Sequence, residues 1–317
     1  MDAMGIKALA DGLRGNISRV IVGKEEVVDK VLAALLAGGH VLLEDVPGTG
    51  KTLLSRALAR SLDGRFSRIQ FTPDLLPGDV TGMAVFSPKT AEFTFKPGPV
   101  FANVVLADEI NRATPRAQSS MLECMEEKQV SCDGTTYPLP QPFFVIATQN
   151  PVETQGTFPL PEAQLDRFMV KLSMGYPTAD EQAQILARFR DDAPQETLAP
   201  VADAEQLRQA QLAVRQVRVH EDLLRYIGAL CEKTRQLDDV LLGVSPRAAL
   251  ALMRVSQACA AMDGRDYVTP EDIKRMAIPA LAHRMILRTA YGQRGRAAEA
   301  VQQALDAVPV PTEKTDR

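Results

Sequence analysis

Long uninterrupted apolar runs are missing from this 317-residue chain. No stretch approaches the ~18 apolar residues of a membrane-crossing helix, and the N-terminal segment lacks the charged-then-apolar order of a secretory leader. A soluble, cytoplasmic protein without membrane insertion is expected. Cysteine is scarce too: Cys124, Cys132, Cys231 and Cys259 are scattered, with no C-x-x-C pair and no histidine at ligand spacing. That argues against a zinc site or a disulfide framework and predicts reduced, mostly packed thiols. Positive charge is not in excess, with 36 Lys and Arg against 40 Asp and Glu, so nucleic-acid binding through overall charge is not expected. Internal repeats and low-complexity blocks are absent. What remains is ordinary globular composition, 45% hydrophobic and 24% charged, in a chain longer than one ordinary core, and two domains are the natural expectation.

The chemistry is concentrated in Glu44-Asp45-Val46-Pro47-Gly48-Thr49-Gly50-Lys51-Thr52. An apolar strand, Val41-Leu42-Leu43, leads in; a helix from Lys51 to Arg60, with apolar Leu53, Leu54, Ala57 and Leu58, leads out. In that context the run is a phosphate-binding loop rather than an accidental turn. Gly48 and Gly50 let backbone N–H groups turn inward, and Pro47, Thr49 and Leu53 complete the wrap around the phosphates. The helix N-terminus adds its positive dipole end, Lys51 reaches the β- and γ-phosphates, and the Thr52 hydroxyl is placed to ligate magnesium. The pattern predicts a nucleotide triphosphatase. One position departs from G-x-x-x-x-G-K-[ST]: Asp45 stands where the pattern has glycine, and its carboxylate is expected to point away from the phosphates.

Upstream, residues 24–37 carry Val27, Val28, Val31, Leu32, Leu35 and Leu36 at helical spacing, ended by Gly38-Gly39. Downstream, strands are expected over 68–72, 103–107 and 143–147, and Thr114-Pro115 opens a helix running to about Glu127. Two β-hairpins are expected, one over 85–95 around Ser87-Pro88-Lys89-Thr90, the other over 129–137 around Asp133-Gly134. Strands alternating with helices imply a mostly parallel sheet covered on both faces. Beyond about residue 176 the pattern turns helical. Thr178 and Glu181 form a capping box for a helix to about Arg190, 191–200 reads as a linker, and helices follow over 220–236, from Ser245-Pro246 to Asp263-Gly264, and from Thr269-Pro270. Pro279 is expected to break or kink the last of these, and 308–317 to be a frayed tail. The fold class is therefore α/β: an αβα nucleotide-binding domain over 1–176, an all-helical domain over 177–307, and the tail.

The apolar strand Val104-Val105-Leu106-Ala107 ends in Asp108-Glu109. Following a phosphate loop, such a pair divides its work: Asp108 would hold Mg²⁺ through its water shell, and Glu109 would take a proton from the water that attacks the γ-phosphate. Asn150, just past the next core strand, would lie beside the γ-phosphate and orient that water; read locally, it is a turn residue before Pro151. Arg167 and Arg247 are the cations available to the charge that gathers on the transferring phosphoryl group. Taken singly, an arginine is as readily a solvated side chain or a carboxylate partner.

Three blocks, Leu106-Ala107-Asp108-Glu109-Ile110-Asn111-Arg112-Ala113, Ala147-Thr148-Gln149-Asn150-Pro151 and the segment from Gly156-Thr157-Phe158-Pro159 to Leu165-Asp166-Arg167-Phe168, together resemble the MoxR family of AAA+ ATPases, in the helix-2-insert clade. The resemblance runs from about residue 14 to 290. It implies an αβα nucleotide domain with a helical lid, and identifies the hairpins as the helix-2 insert and the pre-sensor hairpin. It also implies that Asn150 is sensor 1, Arg167 an arginine finger given to a neighbouring subunit, and Arg247 the sensor 2 arginine of the lid, which loses its γ-phosphate partner on hydrolysis. Val22-Gly23 resembles the adenine-side segment, its local alternative being a helix-entry turn. Asp45 is compatible with the Pro-Gly-x-Gly-Lys-Thr form of AAA+ loops. The implied cofactors are ATP and Mg²⁺, and the implied assembly is a homo-hexameric ring. The implied work is ATP-driven, chaperone-like remodelling that matures client proteins or aids cofactor or metal insertion, paired with a von Willebrand A-domain protein. Alternatives are a chelatase-type motor for metal insertion into a tetrapyrrole and, less expected given hairpin tips poor in cations, a DNA-dependent ATPase.

Overall fold

Two amphipathic helices open the chain in the computed structural model, which describes residues 1–46, 48–89, 91–150, 156–190, 198–288 and 296–311. They are α1 (Ala3–Ser18), capped by the Asp2 carboxylate on the Gly5 N–H, and α2 (Glu25–Leu36), with Glu25 and Glu26 at its positive end. Helices are expected ahead of the phosphate loop, but periodicity gives bounds only for α2, because Gly5, Gly12 and Gly15 dilute the α1 stripe of Ile6, Ala10, Leu13 and Ile17. Then come β1 (Val41–Glu44), α3 (Lys51–Ser61) and β2 (Phe66–Gln70), the last beginning two residues earlier than its apolar run suggests. A short α4 (Pro77–Thr81) leads into the first hairpin, β3 (Gly82–Ser87) and β4 (Glu92–Pro97); Thr90 in its turn lies outside the described residues. β5 (Val104–Asp108) and α5 (Pro115–Glu127) follow, with Thr114 in the N-cap position but making no side-chain cap bond. The second hairpin is β6 (Gln129–Cys132) and β7 (Thr135–Pro138), and the sheet is completed by β8 (Phe144–Gln149) and, after a short α6 (Glu162–Leu165), β9 (Val170–Leu172).

The five core strands lie in the order β2-β5-β8-β1-β9, all neighbours parallel. Successive side chains point to opposite faces, so each strand serves two cores. Val41, Leu43, Val104, Leu106, Phe144 and Ile146 face a cluster with α1, α2 and α3; Leu42, Val105, Ala107, Val145 and Ala147 face a second one with α5. The first cluster continues into the C-terminal helices α8 (Ala204–Val214), α9 (Glu221–Arg235), α10 (Pro246–Met262) and α11 (Pro270–Leu281). They follow α7 (Ala179–Arg188), whose capping box forms as expected between Thr178 and Glu181. Residues 191–197 of the expected linker lie outside the described residues. A small antiparallel pair joins β10 (Val240–Leu242) and β11 (Ile286–Leu287), and α12 (Arg296–Ala307) closes the fold.

Two expectations are corrected. Of the break or kink expected at Pro279, the break does not occur: helix α11 runs on to Leu281, with Ile273, Met276, Ala277, Ala280 and Leu281 buried along it, which outweighs one lost backbone bond near its end. The tail does not fray from residue 308: the Val308 N–H bonds Ala304 O at 3.1 Å, and Val308 and Val310 pack on the core. Residues 312–317 lie outside the described residues. The thiols are packed as expected for Cys124, Cys231 and Cys259, and burial pushes them up to about 12, 11 and 12; Cys132 is half-buried. Among the described residues no helix is long and apolar enough to cross a membrane.

At the foot of β1 sits His40, with 5% of its surface exposed. Its Nδ1 accepts the Val145 N–H at 3.1 Å, so Nε2 carries the proton and donates to Met125 O at 3.0 Å, tying β8 to the end of α5. Burial keeps the ring neutral, its pKa pushed down to about 4, with Lys128 adding to the effect. An unfolded chain takes up this proton near the ordinary histidine value of about 6.5, so the contribution is complete above that pH and is lost as pH falls towards 4. At ~1.4 kcal/mol per pH unit, about 2 kcal/mol is gone by pH 5. Urea midpoints are expected to drop between pH 7 and pH 5, and to drop less in a His40→Gln variant; His283, also buried and held neutral by desolvation, works in the same direction.

Candidate active site

The phosphate loop leaves the carboxyl end of β1 and enters α3 through two left-handed glycines, Gly48 at φ 83° and Gly50 at φ 90°. A Cβ on Gly48 would meet nothing within 4 Å, so it is the backbone conformation that calls for glycine there. Gly50 is the N-cap of α3 and supplies no side-chain acceptor, which leaves the first N–H groups of an 11-residue helix open to an anion. Lys51 Nζ donates to Asp45 O at 2.9 Å and Val46 O at 3.2 Å, folded back on its own loop. Burial draws this ammonium below its ordinary pKa, against the opposing pull of Asp45, Asp108 and Glu109. Thr49 Oγ1 donates to Val46 O at 3.4 Å, Thr52 and Leu53 lie half-buried in the first turn of α3, and Pro47 lies outside the described residues.

Asp45 is a structural anchor. Its buried carboxylate accepts from Ser173 Oγ at 2.9 Å, Met174 N at 2.5 Å and Gly175 N at 3.1 Å, which fastens the loop to the segment after β9. The same segment reaches Val22-Gly23: Lys24 Nζ donates to Tyr176 O at 3.2 Å and pairs with Glu181 at 3.4 Å, and a Cβ on Gly23 would strike the Glu181 side chain. Asp45→Ala would orphan buried donors at a cost of about 2–4 kcal/mol. A fall in Tm of roughly 5–10 °C is expected, read by thermal unfolding.

The acidic pair stands at the same edge of the sheet. Thr148 on β8 donates from Oγ1 to Asp108 Oδ1 at 2.7 Å and accepts the Glu109 N–H at 2.8 Å. Glu109 is in the left-handed region, φ 56°, a costly backbone for a residue with a side chain, and this turns its carboxylate out of the strand line. That carboxylate accepts from Gln70 Nε2 at 2.8 Å and pairs with Arg112 at 3.2 Å. Asp108 Oδ2 receives Arg68 Nη2 at 2.6 Å and Nε at 3.1 Å. Asn150 is buried one residue beyond β8, where Gln149 O accepts the Asp45 N–H at 3.1 Å. Lys51, Thr52, Asp108, Glu109 and Asn150 thus all lie at the edge of the sheet where β1, β5 and β8 end. Arg68, Gln70 and Thr148 were missed; alternation along β2 does put Arg68 and Gln70 on one side, but not beside which strand.

The two arginines are elsewhere. Arg167 Nη2 meets Glu126 Oε2 at 3.1 Å, and Arg247 Nη2 meets the other oxygen, Oε1, of the same carboxylate at 3.1 Å. This is the opposite edge of the sheet: Met125 O binds His40, which precedes β1, and the Met169 N–H, two residues past Arg167, binds His40 O at 2.8 Å. At about 3.3 Å per residue the four residues of β1 alone put roughly 13 Å between this corner and the phosphate loop. Arg247, expected as the lid arginine that meets a γ-phosphate, stands at this corner because the start of α10 meets the α6–β9 turn, where Ser245 Oγ donates to Asp166 Oδ2 at 3.2 Å, which carries Arg247 to Arg167. Arg284, buried just beyond α11, secures the turn by donating to Asp166 Oδ1 at 2.6 Å and Phe168 O at 2.7 Å.

With β8 lying between the phosphate-loop strand and the acidic strand, Asn150 shares an edge with Lys51 and Asp108, and this is the layout of the AAA class of nucleotide-binding proteins. Residues 40–170 match the family described as "ATPase family associated with various cellular activities (AAA)", and 232–304 match the AAA lid domain. The chain is 52% identical to protein YeaC of Bacillus subtilis, over 95% of this chain and 94% of that one. It is 42% identical to the chaperone MoxR1 of Mycobacterium tuberculosis, over 86% of this chain and 74% of that one. A solved structure from Cytophaga hutchinsonii, described as a candidate ATPase, superposes with a TM-score of 0.89 at 38% identity, covering 98% of this chain and 97% of that one. The chain belongs to the MoxR family of AAA+ ATPases.

Proposed function

We propose that this chain hydrolyses ATP only as part of a ring, each active site taking its phosphate loop from one subunit and its arginines from the next, and that the ring remodels client proteins. The observation that carries this reading is the separation of Arg167 and Arg247 from the phosphate loop of their own chain by the height of the sheet. Arg68 and Arg112 at this edge are engaged by Asp108 and Glu109, so the cations that answer the charge spread over the equatorial oxygens in the transition state are taken to be Arg167 and Arg247. A head-to-tail interface that closes by rotation brings the missing cations from a neighbour; six subunits is the number the family resemblance favours.

The uncapped N-terminus of α3, its two left-handed glycines and Lys51 suit a triphosphate, and Thr52 with Asp108 are hard oxygen donors that suit magnesium, which when bound neutralises phosphate charge. For Asp108 to serve, its Arg68 partner must yield or turn to the phosphate. Glu109 accepts the proton of the attacking water, Asn150 orients that water, and Gln70 and Arg112 hold the carboxylate in place until then. Val22 and Gly23 lie on the adenine side, over the segment that Asp45 anchors. The hairpins are the moving parts offered to a client. Phe95 of one stacks on Tyr137 of the other, centroids 4.0 Å apart, so the pair moves together, and Phe86 and Phe93 stay exposed beyond that contact. A von Willebrand A-domain partner remains the expectation from the family. ATP hydrolysis measured over a protein concentration series, with mass in parallel, tests the ring: specific activity is expected to rise with assembly, and full activity in a monomer would refute it.

A further inference from the structure

Glu126 is the wrong charge for its place. It stands in the last turn of α5, which holds no basic residue short of the Lys128 C-cap, and Arg247 is likewise misplaced in the first turn of α10, at a positive end with no acidic residue. Local helix energetics favour neither. What the two ends share is each other, together with Arg167: one carboxylate divides its oxygens, Oε2 to Arg167 and Oε1 to Arg247, both at 3.1 Å. Arg284 lies close enough to be influenced by Arg247, but its own charge is taken by Asp166. Without Glu126 the Arg167 and Arg247 guanidiniums would face each other uncompensated. Each gives a single nitrogen to the carboxylate and has five N–H donors, so most of its fork stays available to another anion.

We propose that Glu126 is a positioning residue for catalysis, resting on the reading that Arg167 and Arg247 serve the neighbouring subunit. It holds the two cations side by side before the neighbour's triphosphate arrives, so that their mutual repulsion is already cancelled and they act as one clamp. Glu126 itself does not touch the nucleotide. Its role predicts a particular kinetic signature. Glu126→Gln keeps the shape and an acceptor but removes the charge, so kcat is expected to fall about tenfold or more while KM for ATP stays within about twofold. Because the defect is repulsion between half-exposed cations, raising potassium chloride from 50 to 300 mM should recover part of the deficit relative to wild type, which a packing defect would not do. Glu126→Asp, too short to reach both arginines, should fall between the two.

The experiment is steady-state ATP hydrolysis by full-length wild type, Glu126→Gln, Glu126→Asp and Arg167→Ala, each with mass and thermal unfolding measured. Glu126→Gln is also mixed with Lys51→Ala subunits, whose arginine corner is intact. The expected result is a low kcat that salt and mixing both partly restore. Wild-type turnover in Glu126→Gln alongside a dead Arg167→Ala would overturn the positioning role and leave the shared site standing. Turnover above wild type would overturn it too, by making Glu126 a restraint on the arginines. Full activity in Arg167→Ala would instead sink the shared-site reading itself. Should Glu126→Gln fail to assemble, Glu126→Asp decides: wild-type kcat counts against the proposal, and a salt-recoverable deficit supports it.

Discussion

Replacing Arg167 with alanine is expected to lower ATP turnover by about 10³-fold or more, the range over which an arginine supplied to a phosphoryl-transfer site acts. Its guanidinium carries no share of its own subunit's phosphate binding, since it stands on Glu126 at the far edge of the sheet. An arginine that answers charge gathering in the transition state adds little to ground-state binding, so nucleotide affinity should stay near wild type and the loss should fall on kcat. The Arg167–Glu126 pair is partly exposed, so losing it costs little stability, on the order of 1 kcal/mol or less. The fold should survive and the variant should remain able to assemble. The decisive measurement is mixing: inactive Arg167→Ala and inactive Lys51→Ala subunits, combined, should regain hydrolysis, because some interfaces then join an intact phosphate loop to an intact arginine. A mixture that stays dead, with assembly confirmed by mass, would mean that the arginine acts within its own chain.

Glu109→Gln should show the complementary behaviour, with ATP bound and held while hydrolysis falls by about 10²–10⁴-fold, the usual scale for losing a general base. The amide is nearly the same size as the carboxylate and still accepts from Gln70, so the turn at φ 56° is retained. What is lost is the capacity to take the proton of the attacking water. Equilibrium binding of a fluorescent ATP analogue beside single-turnover hydrolysis separates the two effects. Binding weakened as much as hydrolysis would show Glu109 to be part of the nucleotide cradle rather than the base.

The loop from Asp45 to Thr52, the Asp108-Glu109 strand and both hairpins were legible in the amino-acid order because each depends on residues a few positions apart. Glycine at 48 and 50 permits a left-handed turn, alternation predicts a strand, and Asp133-Gly134 closes a hairpin. The same locality explains the misses. Helix α1 has its stripe thinned by three glycines, β10 and β11 are three and two residues long, and Pro279 was judged by the bond it removes without the core that holds α11. That the Asp45 carboxylate turns away from the phosphates is a local expectation, but its anchoring role is not legible because its three partners lie about 130 residues away in the chain.

By itself, then, the order of residues determined a phosphate loop, an acidic pair, an alternating α/β domain and a helical one after it, since hydrogen-bonding rules and apolar periodicity act over one turn or one strand. Tertiary structure alone decided that Arg68 meets Asp108 and Gln70 meets Glu109, because strand order in a sheet is set by crossover connections that no local spacing records. It also decided on which side of the molecule Arg247 stands. That depended on how the start of α10 meets the α6–β9 turn, a polar contact between segments some eighty residues apart, made by Ser245 on Asp166 and not written in either segment alone.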